Sequence, residues 1–262
     1  MLGWALSPNE ADVADVFLAS EPQWDGDPAL VMSPESLAFA GDYISEAPRL
    51  REYLIYGDAG FERRNVEVMI TGRGPVLGRV DDRFVIWRIG GYHDFGALLQ
   101  FFRMGAAQHL EDFQAALAMH QLPCFHVVYA DRAGNLLYLY NARSGRRYQP
   151  ERRDLRLLAH LVPEEPPLDY QVPISGDDPR YDWGGDVEIE ALPGVVNPAS
   201  GYIAASGNPP WTATGGPDFD PAAWPEWFVS DQDSYRARRV RSLIEAAPRS
   251  FDDVQAMSVS YT

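Results

Sequence analysis

The sequence contains no lysine at all, so its 22 positive side chains are all arginine, set against 38 acidic residues for a net charge of −16. That balance excludes a basic footprint for nucleic acid phosphates or anionic membrane surfaces. A single cysteine, Cys124, excludes an internal disulfide framework and a multi-cysteine metal site. It sits in Leu122-Pro-Cys-Phe125, which reads as entry into a buried strand, with the thiol as core filler. No run of about 18 apolar residues is present for a membrane span, and Met1-Leu-Gly-Trp-Ala-Leu6 lacks the basic start and cleavage site of an export signal. No repeat of fixed period appears. The histidines at 93, 109, 120 and 160 show no metal-ligand spacing with one another or with Cys124.

What is present is enough for a folded core: 262 residues, 46% hydrophobic and 12% aromatic. Residues 65–71 and 83–89 have the β-branched and aromatic content of strands, and with a Gly-Pro turn region from Gly72 to Gly78 they suggest an antiparallel pair. From Asp94, Leu98, Leu99 and Phe102, then Leu110, Phe113 and Leu117, recur at spacings of three and four, which predicts two short helices. Residues 124–131 and 136–141 flank Arg132-Ala-Gly-Asn135 and predict a tight hairpin. From about 160 to 230 the chain is Pro- and Trp-rich, and Tyr170, Tyr181, Trp183, Trp211, Trp224 and Trp227 mark it as an ordered excursion rather than a linker. A final helix over 232–247 is expected to turn Tyr235, Val240, Leu243 and Ile244 inward and its arginines outward. Ser250-Phe-Asp-Asp253 has the form of a helix N-cap with an acid three residues on. Ser7-Pro-Asn9 reads as a turn, and both ends look truncated, which leads us to expect a fragment or one partner of a split protein.

Three stretches, in order, resemble the penicillin amidase and acyl-homoserine-lactone acylase family. They are Leu2-Gly-Trp-Ala-Leu-Ser-Pro-Asn-Glu-Ala-Asp-Val-Ala-Asp-Val-Phe17; Val127-Val-Tyr-Ala-Asp-Arg-Ala-Gly-Asn-Leu-Leu-Tyr138; and Asp182-Trp-Gly-Gly185 followed by Leu192-Pro-Gly-Val-Val-Asn-Pro-Ala-Ser-Gly-Tyr-Ile203. Arg73-Gly-Pro-Val-Leu77 is a weaker echo. The resemblance implies an α+β fold, part of the αββα four-layer sandwich of N-terminal-nucleophile hydrolases, with antiparallel sheets and flanking helices, the whole of 1–262 being one incomplete large-subunit segment. It also implies an amide hydrolase acting on an acylated small molecule such as a β-lactam side chain or an acyl-homoserine lactone, in a periplasmic or secreted setting.

In such enzymes a serine whose own α-amine is the general base attacks the amide, and a backbone N–H with an Asn side chain holds the oxyanion. The resemblance leaves this sequence without the nucleophile, because Ser7 is neither terminal nor supplied with a free amine. It places Pro8, which has no N–H, at the backbone-donor position and His126 at the Asn position. Arg147 falls near the family's active-site arginine, while Arg143, Arg146, Arg152, Arg153 and Arg156 read as a solvated basic stretch. Asp12 and Asp15 match an acidic pair used by some members for calcium, with Asp131 as a further candidate ligand, against the alternative of solvated or turn-capping carboxylates. Three readings follow: an inactive fragment of an acylase, a pseudoenzyme or acyl-binding module, and one half of a split acylase completed by a complementary chain that carries the serine.

Overall fold

The computed structural model describes residues 1–20, 38–39, 42–57, 60–92, 94–147, 170–246, 250, 252–253 and 255. In chain order the strands are β1 (Leu2–Pro8), β2 (Ala14–Ser20), β3 (Ala38–Phe39), β4 (Asp42–Gly57), β5 (Gly60–Thr71), β6 (Val76–Val80) and β7 (Arg83–Ile89). After helices α1 (Ala97–Ala106) and α2 (Leu110–Leu117) come β8 (Cys124–Asp131), β9 (Leu136–Ala142), β10 (Ile174–Ser175) and β11 (Gly194–Val196), then α3 (Tyr235–Ala246). The fold is mixed α and β with predominantly antiparallel sheets. The chain divides into two compact units, one of residues 1–13, 93–144 and 187–262 and the other of residues 14–92 and 145–186.

The first unit is built on an antiparallel sheet in the order β1-β8-β9-β11. The hairpin expected at Arg132–Asn135 forms as read: Gly134 takes φ +91°, and the Asp131 carboxylate accepts from the backbone and side-chain nitrogens of Asn135. Ser7-Pro-Asn9 is not a turn as expected, because β1 runs paired through Pro8, register Leu2↔Asp131 to Pro8↔Phe125. Side chains alternate between the faces of these strands. Trp4 reaches Phe101 and Phe113, and Tyr129 lies 4.8 Å from Phe113, so this face carries α1 and α2. The opposite face carries Tyr138 and Tyr140, packed edge-on against Phe219 and Phe228 of the Pro- and Trp-rich excursion. Of that excursion residues 170–230 are described, and its first residues lie outside the described set.

Both helices predicted after Asp94 form, but α1 uses the other side of its stripe. Gln100 and Met104 are fully buried, whereas Leu98 and Phe102 are 83% and 73% exposed and Phe95 is 92% exposed. The physical reason is Gln100, whose Oε1 accepts the Gln121 N–H at 2.6 Å and ties that face of α1 to the loop entering β8. In α3 the expected inward residue Tyr235 is exposed, and Ala237 is the buried contact. The Ser250 cap forms, with Ser250 and Asp253 exchanging side-chain to backbone hydrogen bonds; Val254 and the residues from 256 onward lie outside the described set.

The second unit holds sheet β10-β2-β7-β6, in which β10 runs parallel to β2, and sheet β3-β4-β5. Residues 65–71 and 83–89 are both strands, yet they do not pair with each other: β5 pairs with β4, and β7 pairs with β2 and β6. The reason is a second, closer partner. Val76–Val80 joins β7 through a two-residue Asp81-Asp82 turn with Asp81 at φ +54°, and such a short loop costs the least closure entropy. A Cβ at Gly74 would lie 2.1 Å from the Trp87 carbonyl oxygen, so only glycine lets the chain pass into β6 there.

Candidate active site

In the first unit the register sets Ser7 opposite His126 and His126 opposite Tyr140, so all three project from one face of the sheet. His126 is fully buried. Its Nδ1 lies 2.9 Å from the Tyr138 hydroxyl and its Nε2 lies 3.3 Å from Asp231 Oδ1. An ionised carboxylate only accepts, so Nε2 carries the proton facing Asp231; in the neutral ring Nδ1 then accepts from Tyr138. Both nitrogens are in use. Asp231 Oδ2 accepts from the Tyr140 hydroxyl and from the Glu10 backbone N–H at 3.0 Å.

Burial pushes the Asp231 carboxyl up, but the hydrogen bonds from His126, Tyr140 and Glu10 outweigh it and hold the group below the ordinary carboxylate range. Burial together with the Asp231 charge drives the Tyr138 phenol well above its ordinary value. Tyr140 is raised as well, by burial first and then by its bond to Asp231. Both hydroxyls therefore stay protonated as donors. Cys124, at the start of β8, is likewise raised by burial and by Asp231, which keeps it a thiol rather than a nucleophile. Beside this network a cavity of about 570 Å³ is lined by Ser7, Pro8, Asn9, Glu10, Asp231 and Arg236 among others. Ser7 lines the cavity from within β1, and its nitrogen is a peptide nitrogen, not a free amine. Pro8 is the last residue of the edge strand β1 and brings no N–H to it.

In the second unit, β2 buries Asp15, Phe17 and Ala19 on one face. Asp15 Oδ2 accepts from Arg147 Nε at 2.8 Å and from Trp183 Nε1 at 2.5 Å. The Arg147 guanidinium lies 5.1 Å from the centroid of Tyr170 and 5.6 Å from that of Trp183. Arg73, also buried, donates to Asp182 at 2.6 Å and to the Gly176 carbonyl at 2.7 Å. Arginine suits both places, because its fork bonds a carboxylate while its plane lies over an aromatic ring.

The profile described as "Penicillin amidase" matches residues 1–262. The chain belongs to the penicillin amidase family. Its fold is similar to that of a thermostable penicillin G acylase from Alcaligenes faecalis, with TM-score 0.62 and 18% identity over 98% of this chain and 40% of that one. The chain thus spans 40% of the length of that acylase chain.

Placed in a penicillin amidase fold, the residues singled out from sequence divide between the two units. His126 is paired with Ser7 and Pro8 with Phe125, one register step apart on β8 and β1 in the first unit, whereas Arg147 and Asp15 belong to the second unit. Asp131 does not join Asp12 as a ligand. Asp131 is level with Leu2, about 20 Å along β1 from Pro8 at 3.3 Å per strand residue, and Asp12 follows Pro8 at that far end. The Asp131 carboxylate is spent on the hairpin turn and on the Tyr129 hydroxyl. Among the described residues no group of three or more His, Cys, Asp or Glu side chains is placed to hold a metal ion.

Arg143 is not solvated as expected. It is buried against Asp94 at 2.6 Å and the His120 carbonyl at 2.6 Å, because Ala142 to Ser144 run through the core. Arg146 is exposed, and Arg152, Arg153 and Arg156 lie outside the described residues. Sequence reasoning missed Tyr138, Tyr140 and Asp231. The two tyrosines were legible as an i, i+2 pair on one strand face, but nothing local marks Asp231, which arrives from 105 residues beyond His126.

Proposed function

We propose that this chain is a segment of a penicillin-amidase-type acylase that cleaves the amide of an acylated small molecule, such as a β-lactam side chain or an acyl-homoserine lactone, and that alone it does not turn over. Family membership along all 262 residues is the observation that carries the reaction class. Inactivity of the isolated chain is supported by the cavity at Pro8. Losing one oxyanion donor costs about 10²–10³ in rate, and Ser7, inside β1, offers no free amine to act as base.

A second reading, an acyl-binding protein that has given up catalysis, is favoured by His126, whose ring nitrogens are both committed to Tyr138 and Asp231. Hydrolysis of chromogenic phenylacetyl and long-chain acyl amides separates the readings. The segment reading expects turnover only when a companion polypeptide supplies the terminal serine. Binding without turnover, companion present or not, establishes the second reading. Turnover by the chain alone that Ser7→Ala abolishes overturns both.

A further inference from the structure

The Asp15 pocket was a calcium candidate on sequence grounds, and its donor set does not fit that ion. Calcium takes six to eight oxygen ligands. Asp15 is 3% exposed, and its Oδ2 is already shared by Arg147 and Trp183. Only Oδ1 is left without a hydrogen bond, and among the described residues Asp15 belongs to no group of three or more His, Cys, Asp or Glu side chains that could hold a metal ion. A single buried oxygen beside a permanent guanidinium is a poor place for a dication, because the two like charges repel in a weakly screened interior.

The surroundings are shaped for the arginine instead. Trp183 closes over it, and it does so because residue 145 is glycine: a Cβ there would lie 1.9 Å from the indole ring. Antiparallel contacts hold the two segments together, Arg146 N–H to the Gly185 carbonyl and Gly184 N–H to the Arg146 carbonyl, each 2.8 Å. Arg147 and Trp183 thereby reach Asp15 from opposite sides of one short ladder.

We infer that the Arg147 guanidinium is the built-in counter-ion of Asp15, standing where a divalent cation would have to sit, so that this unit folds without calcium. The test uses the purified chain and needs no activity. Melting temperature is measured with EDTA and with calcium, and terbium luminescence sensitised by Trp183 reports any lanthanide at Asp15. Equal melting temperatures, and no terbium emission that Asp15→Asn removes, are expected. Arg147→Met is expected to melt lower and to recover in part with millimolar ethylguanidinium, but not with calcium. If EDTA lowers the wild-type melting temperature, calcium restores it, and Asp15→Asn extinguishes a terbium signal, the inference is overturned. Should Arg147→Met fail to fold, the wild-type and Asp15→Asn measurements decide alone.

Discussion

Replacing Asp231 by alanine removes one acceptor from three donors at once. The His126 ring and the Tyr140 hydroxyl are fully buried, and the Glu10 N–H is partly so. A buried donor left unmatched costs about 1–3 kcal/mol, so with water able to reach Glu10 the sum is about 4 kcal/mol. That is a large share of the roughly 5–15 kcal/mol that holds a typical domain folded. Asp233→Ala is the control. Its partner Arg241 lies 2.8 Å away, but the side chains are 17% and 33% exposed, and such pairs contribute about 0–1 kcal/mol.

Urea unfolding followed by tryptophan fluorescence reads both variants. A loss below about 1 kcal/mol for Asp231→Ala, no greater than for Asp233→Ala, would refute the view that the network is a core element of the fold. The folded Asp231 carboxyl is held below its unfolded value of about 3.9, so its contribution is fully present above that pH and is lost as pH falls through the lower folded value. Asp231→Asn is expected to flatten that part of the acid-unfolding curve.

Three further outcomes follow from particular contacts. Gly145→Ala pushes a methyl group into the Trp183 ring and is expected to destabilise the second unit by about 1–3 kcal/mol, seen as a lower urea midpoint with altered tryptophan emission. Burial, and then the bond to Asp131, push Tyr129 up to about 12, so its share of stability is intact below about pH 10 and disappears as pH rises through 12. Ultraviolet titration should show a phenol ionising at about 12 that Asp131→Ala moves down, while Tyr138 and Tyr140 stay protonated through that range. The exposed Phe95, Leu98 and Phe102 face is expected to lower the soluble yield of the chain expressed alone, and Leu98→Glu with Phe102→Glu should raise that yield without lowering the melting temperature; an unchanged yield places the fault elsewhere.

Local chemistry was the part of this fold that could be read in advance. The Asp131-to-Asn135 turn, the helices after Asp94 and the Ser250 cap each depend on residues a few positions apart, and each formed. Pairings decided by distant partners were not legible. Residues 65–71 and 83–89 looked like each other's partners until Val76–Val80 supplied a nearer one, and α1's outward stripe reflects Gln100 binding a loop 21 residues on.

The same divide runs through the candidate site. Pro8 could be read as lacking a donor from its covalent structure alone. The fate of His126 and Arg147 depended on Asp231, Asp15 and Trp183, which no spacing rule connects to them. Charge composition misled in one respect: with lysine absent, arginine also serves inside the fold, at Arg73, Arg143 and Arg147, where a solvated basic run was expected beside Arg147.

Buried and bonded through both ring nitrogens to Tyr138 and Asp231, His126 is expected to serve the scaffold rather than to hold the reacting oxygen. A crystal structure of the natural polypeptide with a slowly hydrolysed phenylacetyl amide tests it directly. The imidazole is expected to remain bonded to Tyr138 and Asp231, with no ring nitrogen near the amide oxygen. An imidazole swung away from Asp231 and donating to that oxygen would contradict it.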